Sequence, residues 1–264
     1  PMNSIMFANE DDGFGIWQNT FYTTSNGGIS WWNWTLNGYE QYVFTDIFFT
    51  DSMHGWTVGF DEMGLGHGDI KILNTTDGGD NWEEKFSVYK WLIGVDQASV
   101  KFIDQYSGWA AAGNGVLFTD DGGNTWNETS LNLYCNSLCI IDENNLWTAG
   151  FYYVEGDSNV GGIYNSNNGG ISWIQMLGDT IPFLNDITFV NDISGWAVGN
   201  SGTILHTEDG GNTWVYQASG TTADLHSICF VDENEGWICG DSSIILYTDN
   251  GGISDHCLPE GITF

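Results

Sequence analysis

The chain contains no arginine, and its four lysines (Lys71, Lys85, Lys90 and Lys101) stand against 35 acidic residues. Proteins that bind nucleic acid or anionic membrane surfaces take much of their affinity from Lys and Arg contacts to phosphate, so both partners are disfavoured. The formal net charge of -31 indicates solubility in a salty or extracellular medium. The sequence also lacks an apolar run long enough to span a membrane, so direct membrane insertion is not expected.

Cysteine is scarce as well, with five residues in the chain: Cys135, Cys139, Cys229, Cys239 and Cys257. Their spacing fits no zinc pattern with the scattered histidines, and no metal site is predicted. We favour small core residues as their role. Disulfides are the alternative, and Cys229 with Cys239, on neighbouring predicted strands, is the first pair to test.

Repetition is what the sequence has in abundance. A phrase whose fullest form is Thr-x-Asp-Gly-Gly-Asn-Thr-Trp occurs six times, at residues 24–31, 75–82, 119–126, 166–173, 207–214 and 248–255, the last without its Trp. The second glycine of the phrase recurs every 41 to 51 residues. This is the length of a four-stranded propeller blade.

A second pattern runs in phase with the first. Each phrase is preceded by an aromatic residue, an aliphatic residue lies nine positions before that aromatic, and a large apolar residue follows the aliphatic by two positions. The aromatics are Phe14, Trp56, Trp109, Trp147, Trp196 and Trp237. Alternation at period two is typical of strands. We therefore predict an all-β, six-bladed β-propeller of four-stranded antiparallel blades, with strands a to d in each blade and seven blades as the alternative if sequence is missing.

One unit of this pattern predicts strand a at residues 228–231, strand b at 236–240 and strand c at 244–248. The repeats run over residues 1–41, 42–94, 95–132, 133–181, 182–222 and 223–256, which we interpret as one domain. Residues 257–264 break the pattern and are interpreted as the start of a linker or following module, so we expect a fragment of a larger multidomain chain. Either residues 258–264 or a segment before Pro1 would complete the sixth sheet.

Turn chemistry explains the repeated phrase without catalysis. Asp or Asn bonds neighbouring amides, Gly-Gly supplies positive φ, and Ser or Thr ties the other end of the c–d turn. The indole is expected to pack against the sheet and anchor the hairpin. A catalytic site is built once per domain and not six times. The residues with this structural role are Asn26, Asp77, Asp121, Asn168, Asp209 and Asn250, with Trp31, Trp82, Trp126, Trp173 and Trp214.

The run Gly-Trp-Ala-Val-Gly at residues 195–199 and the run at 202–214 resemble the Asp-box (BNR-like) propellers related to photosystem II assembly factors and sortilin-like receptors. The likeness covers nearly the whole chain and is specific for fold. The superfamily also includes sialidases and xyloglucanases. Sialidases use an arginine cluster and photosystem-type assembly factors a basic, arginine-containing patch, and this chain can build neither.

Repeats 2 and 4 have about twice as many residues as the others between strand b and the box. The additional residues include the candidate ligand-binding residues Phe60, Asp61, His67, Phe151, Tyr152, Tyr153 and Glu155. Insertions in repeats map to one face, commonly the binding face. Exposed aromatics beside carboxylates suit carbohydrate or protein contacts. The alternative is that these loops only cap their blades.

We therefore expect a non-catalytic, secreted or cell-surface module of Bacteroidota type that binds protein or glycan, for example in adhesion. The alternative is a glycoside hydrolase with paired carboxylates, as in Asp-box xyloglucanases. No cofactor is predicted.

The a–b turns and the boxes of all repeats are expected on one strongly negative face. Ca²⁺ could bridge its carboxylates, although no Asp-x-Asp-x-Asp loop is present. Sites of possible glycosylation are Ser52 and Thr180, each placed after Asp and before an apolar residue, and the sequons at Asn33, Asn74 and Asn127.

Overall fold

The computed structural model describes residues 3–61, 67–91, 97–154, 158–178 and 180–252, and these residues are folded almost entirely as β-strands. They divide into two compact units, Pro1–Leu131 (unit 1) and Asn132–Phe264 (unit 2). Nowhere in the described part of the chain is there a helix of the length and apolarity needed to cross a lipid bilayer.

Unit 1 contains three antiparallel sheets, each of four strands that pair in chain order. Blade 1 has β1 Ser4–Phe7, β2 Asp12–Trp17, β3 Thr20–Ser25 and β4 Trp32–Thr35; blade 2 has β5 Tyr42–Phe49, β6 Gly55–Asp61, β7 His67–Thr75 and β8 Glu83–Trp91; blade 3 has β9 Ser99–Phe102, β10 Gly108–Ala111, β11 Gly115–Thr119 and β12 Asn127–Ser130.

Unit 2 contains two four-stranded sheets and a third with three strands among the described residues. Blade 4 has β13 Tyr134–Ile140, β14 Leu146–Val154, β15 Ser158–Ser166 and β16 Ile174–Leu177; blade 5 has β17 Leu184–Phe189, β18 Gly195–Gly199, β19 Thr203–Thr207 and β20 Val215–Gln217; blade 6 has β21 Leu225–Phe230, β22 Glu235–Gly240 and β23 Ile244–Asp249. Short 3-10 turns at Asn200–Gly202 and Asp241–Ser243 join strands b and c of blades 5 and 6.

These sheets confirm the predicted fold class, an all-β six-bladed β-propeller of antiparallel blades. Every sheet falls within one predicted repeat, and β21, β22 and β23 match the three strands expected in the last one. The segment that would complete the sixth sheet, residues 258–264, lies outside the described residues. The assignment of the repeats to a single domain stays a prediction.

The spacing of nine residues places two aromatic positions where neighbouring blades meet. The strand-b aromatic of one blade stacks nearly flat on the strand-a aromatic of the next. The ring centroids are 3.6 Å apart for Phe14 and Phe49, 3.7 Å for Trp56 and Phe102, 4.5 Å for Trp147 and Phe189, and 3.8 Å for Trp196 and Phe230. The repeat is therefore a pattern of contacts between blades and not only within them.

Each of these strand-a phenylalanines lies over a glycine that opens strand b. Gly195 pairs with Phe189, and a Cβ at Gly195 would lie 2.6 Å from the Phe189 ring. Blade 4 replaces both members of this pair, with Ile140 opposite Leu146. A bulky residue at the start of strand b thus goes with a smaller, non-aromatic residue at the end of strand a.

The boxes form the c–d turns, as predicted. Both glycines of all six boxes have positive φ. In blade 5, Asp209 accepts hydrogen bonds from Thr207 Oγ1, from Thr213 N and from Thr213 Oγ1. The bonds from Thr213 hold the pKa of Asp209 below its ordinary value, as expected for a carboxylate that orders a turn.

Two box tryptophans also join neighbouring blades, in addition to the predicted packing against their own sheet. Trp214 of blade 5 contacts Trp147 of blade 4, with ring centroids 6.2 Å apart, and Phe189 of its own blade at 5.9 Å. Trp82 of blade 2 likewise contacts Phe21 of blade 1, at 5.4 Å. Their indoles are half-buried.

The cysteine predictions are partly wrong. Cys229 and Cys239 are free thiols, and both are exposed. The register places Cys239 opposite Ser227 and Cys229 opposite Trp237, so the two thiols are diagonal and not directly across the strands. Cys135 is buried, as expected of a small core residue. Cys257 lies outside the described residues.

Candidate functional site

The described additional residues of blades 2 and 4 lengthen strands b and c. In blade 4, β14 and β15 pair from Leu146 with Ser166 to Val154 with Ser158. In blade 2, β6 and β7 pair from Gly55 with Thr75 to Phe60 with Ile70. The described ends of the two predicted ligand loops are thus paired strands, which we call the blade 2 and blade 4 hairpins, and residues 62–66 and 155–157 between them lie outside the described residues.

The blade 2 hairpin does not present its aromatic residue to solvent. Phe60, expected to be exposed, is buried because it faces the core at the end of a strand that is buried throughout. Asp61 is also buried, and its carboxylate accepts a hydrogen bond of 2.7 Å from Asp69 N. His67 belongs to β7, but its side chain lies outside the described part of the structure.

The blade 4 hairpin differs, because it carries one exposed aromatic near its tip. Tyr153 is 46% exposed, Tyr152 is half-buried beside Gly162 and Gly178, and Phe151 is fully buried. The expected exposure of Phe151 is therefore wrong, because the rings of Tyr134 and Phe183 stack on it. Glu155 lies outside the described residues.

Four rings form what we call the aromatic ledge of unit 2, made of Tyr134, Phe151, Tyr153 and Phe183. Phe151 is its buried base, stacked against Phe183 at 4.1 Å and against Tyr134 at 5.2 Å. Tyr153 meets Tyr134 edge to face at 5.4 Å. Burial and the nearby Tyr134 raise the pKa of Tyr153. The half-buried rings of Tyr134 and Phe183 and the exposed ring of Tyr153 form an aromatic surface around Phe151.

A close backbone approach brings the fourth ring into the ledge. Gly161 of β15 donates a hydrogen bond of 2.9 Å from its N–H to the carbonyl of Ile181. A Cβ at Gly161 would lie 2.1 Å from the Pro182 carbonyl oxygen, so only glycine lets this segment cross β15. The crossing places Phe183 over Phe151.

Sequence reasoning missed a buried carboxylate on strand a of blade 2. Asp46 accepts a hydrogen bond of 2.7 Å from Ser4 Oγ of blade 1 and bonds of 3.0 Å from Ser99 Oγ and Val100 N of blade 3. Lys101 Nζ forms an ion pair with it at 2.8 Å. One carboxylate therefore joins three consecutive blades.

The same device recurs in unit 2. Asp186 of blade 5 accepts bonds of 2.6 Å from Ser137 Oγ of blade 4 and 3.1 Å from Ser227 Oγ of blade 6. Cys229 takes the place of the lysine. The signal was present in the sequence, because the residue before each strand-a aliphatic reads Ser, Asp, Ser, Ser, Asp, Ser along the six repeats.

Among the described carboxyl groups, none has the raised pKa expected of a glycoside hydrolase acid. A catalytic acid needs a raised pKa. Where the pKa of a described carboxyl group departs from its ordinary value, hydrogen bonds lower it, as for Asp77, Asp121, Asp142 and Asp232. Within the described ranges no three His, Cys, Asp or Glu side chains form a group that could hold a metal ion. Ca²⁺ binding stays a prediction.

All four lysines are used in ion pairs within unit 1. Lys71 pairs with Glu84, Lys85 with Glu83, Lys90 with Glu128 and Lys101 with Asp46. The sequence of unit 2 contains neither lysine nor arginine. Each lysine side chain that could attract an anionic ligand is therefore already paired with a carboxylate.

The possible glycosylation sites differ in access. Asn74 is buried, and its amide donates to the carbonyls of Gly55 and Thr75, so it is a structural residue. Asn33, Asn127 and Thr180 are exposed, and Ser52 is half-buried in an a–b turn. Modification at the accessible positions stays a prediction.

A model of one protein family, described as "Photosynthesis system II assembly factor YCF48", matches residues 32–185 and 179–259. The chain belongs to this family. Because the family is one of assembly factors, the prediction of a non-catalytic propeller is confirmed, and the resemblance to photosystem-type assembly propellers is confirmed with it.

The family includes a curated relative, the photosystem II assembly lipoprotein Ycf48 of Synechococcus sp. (strain CC9902), which is 31% identical over 144 residues. That match spans 54% of this chain and only 39% of the relative. A structure of YCF48 bound to D1 peptide superposes with a TM-score of 0.72 at 20% identity, over 96% of this chain and 80% of that one. YCF48 from Cyanidioschyzon merolae has a TM-score of 0.52 at 18% identity, over 94% and 95%. At these identities the two structures show the fold.

Proposed function

We propose that this propeller binds an extended segment of a partner protein at the aromatic ledge of unit 2. A related propeller is known bound to D1 peptide, which makes a peptide ligand the first choice for the family. The observation that carries the proposal is the ledge itself, with Phe151 buried as its base and Tyr153 exposed beside it.

The chemistry of the ledge suits a polypeptide. Rigid aromatic side chains supply contact area at little cost in conformational entropy, and a phenol hydroxyl can bond a main-chain carbonyl of the ligand. The ledge is also pre-formed, because Phe183 and Tyr134 are fixed against Phe151 by stacking. Little ordering is therefore needed on binding.

The proposal is tested with a fluorescent D1 peptide and fluorescence anisotropy. Tyr153→Ala should weaken binding about tenfold, since central aromatic contacts at interfaces contribute more than 1 kcal/mol when truncated. Tyr216→Ala is the matched control, because Tyr216 is an exposed tyrosine of the same unit on the edge strand β20. It should leave the Kd unchanged.

A wild-type protein that does not bind the peptide contradicts the proposal. Equal affinities of the Tyr153→Ala and Tyr216→Ala proteins would do the same. Melting curves separate both outcomes from loss of folding, because neither side chain belongs to the core.

Our other functional predictions concern location and ligand class. The Synechococcus relative is named a lipoprotein, which agrees with a protein held at a membrane surface without crossing it. A secreted or cell-surface location, an origin in a Bacteroidota multidomain protein, adhesion and glycan binding all stay predictions.

A further inference from the structure

A second surface of unit 2 combines exposed aliphatic side chains with carboxylates. We call it the turn face, and it consists of the a–b turns and boxes of blades 4 to 6, residues 141–145, 167–172, 190–194, 208–213, 231–234 and 250–252. It lies at the opposite ends of the strands from the aromatic ledge, because in an antiparallel blade the a–b and c–d turns share one end.

Hydrogen bonds order the turn face within each of its blades and between blades 5 and 6. In each blade the first box glycine donates to the a–b turn, from Gly169 N to Asn144 O at 3.1 Å, from Gly210 N to Ile193 O at 3.0 Å, and from Gly251 N to Asn234 O at 2.8 Å. The turns of blades 5 and 6 are linked by the Asn191 amide, which donates to Glu233 Oε1 at 2.7 Å.

Three aliphatic side chains project from this surface. Ile171 is 65% exposed, Ile193 53% and Val231 64%. Turn formation does not need Ile171 or Ile193, since the first position is Asn212 in blade 5 and the second is Asn144 in blade 4. Several exposed aliphatic side chains on an otherwise polar surface are a feature of interaction sites.

The charge around these aliphatics has one sign. Exposed carboxylates on the turn face include Asp142, Glu143, Asp192, Glu208 and Glu233. Unit 2 has no lysine or arginine to neutralise them. A ligand of the same sign would be repelled, whereas a cationic one would gain in association rate and affinity.

We infer that the turn face of unit 2 binds a segment of a partner protein that carries Lys or Arg interleaved with apolar side chains. The apolar side chains of the segment cover Ile171, Ile193 and Val231, and its cations meet the surrounding carboxylates. This surface is independent of the aromatic ledge, so failure of the proposed function leaves the inference intact.

The probe is a fluorescent synthetic peptide that alternates lysine and leucine, measured by anisotropy at increasing NaCl. The variant Ile171→Ser/Ile193→Ser/Val231→Ser should bind it at least about tenfold more weakly, which corresponds to about 1.4 kcal/mol. The matched control is Ile174→Ser/Val215→Ser, two equally exposed aliphatics on the outer strands β16 and β20, and its Kd should be that of the wild type.

Two further measurements test the charge and the location. A peptide with glutamate in place of lysine should not bind, and Asp192→Asn/Glu233→Gln should weaken binding and reduce its dependence on salt. Tyr153→Ala should leave this affinity unchanged, which separates the turn face from the aromatic ledge.

Three results would overturn the inference. In the first, the triple serine variant binds like the wild type. In the second, a peptide that alternates lysine and serine binds as well as the lysine–leucine peptide, so attraction is purely electrostatic. In the third, Ca²⁺ displaces the peptide where NaCl of matched ionic strength does not, which assigns the face to a divalent cation.

Discussion

The pairing of Phe189 with Gly195 predicts a specific epistasis. Gly195→Leu places a Cβ 2.6 Å from the Phe189 ring, so the ring must leave its stack on Trp147, where the centroids are 4.5 Å apart. Overpacking costs about 1–3 kcal/mol and the lost stack about 0.5–1.5 kcal/mol. We therefore expect Gly195→Leu to lower the free energy of unfolding by about 2–4 kcal/mol.

The natural pair Ile140 and Leu146 of blade 4 indicates the rescue. Phe189→Ile removes the stack but also the clash, so the double variant Gly195→Leu/Phe189→Ile should be more stable than the sum of the single changes predicts, with a coupling energy of about 1–2 kcal/mol. Urea unfolding followed by far-ultraviolet circular dichroism measures all four proteins. Additivity within about 0.5 kcal/mol would refute the steric account of the pair.

Three further changes test other contacts. Trp214→Ala should cost about 2–4 kcal/mol, near the lower end for buried aromatics because the indole is only half-buried, and an unaltered melting temperature would contradict its role between blades. Asp186→Ala should lower the free energy of unfolding by about 2–4 kcal/mol, because it leaves the buried hydrogen-bond donors of two neighbouring blades unpaired. If urea unfolding shows a loss no larger than that for Asp192→Ala, this role of Asp186 is contradicted. Burial lowers the pKa of His206 despite the opposing charge of Glu208, so unfolding takes up a proton and stability should fall as pH drops below about 6.5. His206→Gln should remove this part of the pH dependence of stability. Equal stability–pH profiles for the variant and the wild type would exclude a contribution from His206.

The fold could be predicted because two separate patterns recur in each repeat, the turn residues of the box and the spacing of the strand aromatics. Turn chemistry is local, so the residues equivalent to Asp209 accept the same pair of hydrogen bonds in the first five boxes. The strand-b aromatics such as Trp196 are placed by alternation alone, which is a property of any strand.

The candidate site was less accessible from sequence, because burial depends on how far the paired strands continue and on which rings pack over them. Phe60 and Phe151 read as loop aromatics but continue strand b and face inward. Phe183 was not predicted, since its contact with Phe151 depends on a backbone crossing at Gly161. Asp46 and Asp186, by contrast, were readable from their place before the strand-a aliphatic.

The stacking of Trp147 on Phe189 and of Trp196 on Phe230 has a direction along the chain, which makes each blade a head-to-tail module with two unlike sides. A tandem duplication of blade 5 would supply both halves of every new junction from its own sequence. Recombination between repeats can therefore add or remove one whole blade without requiring a new kind of contact between blades. Blade 4 is the exception, because its Ile140 would give an incoming indole no ring on which to stack.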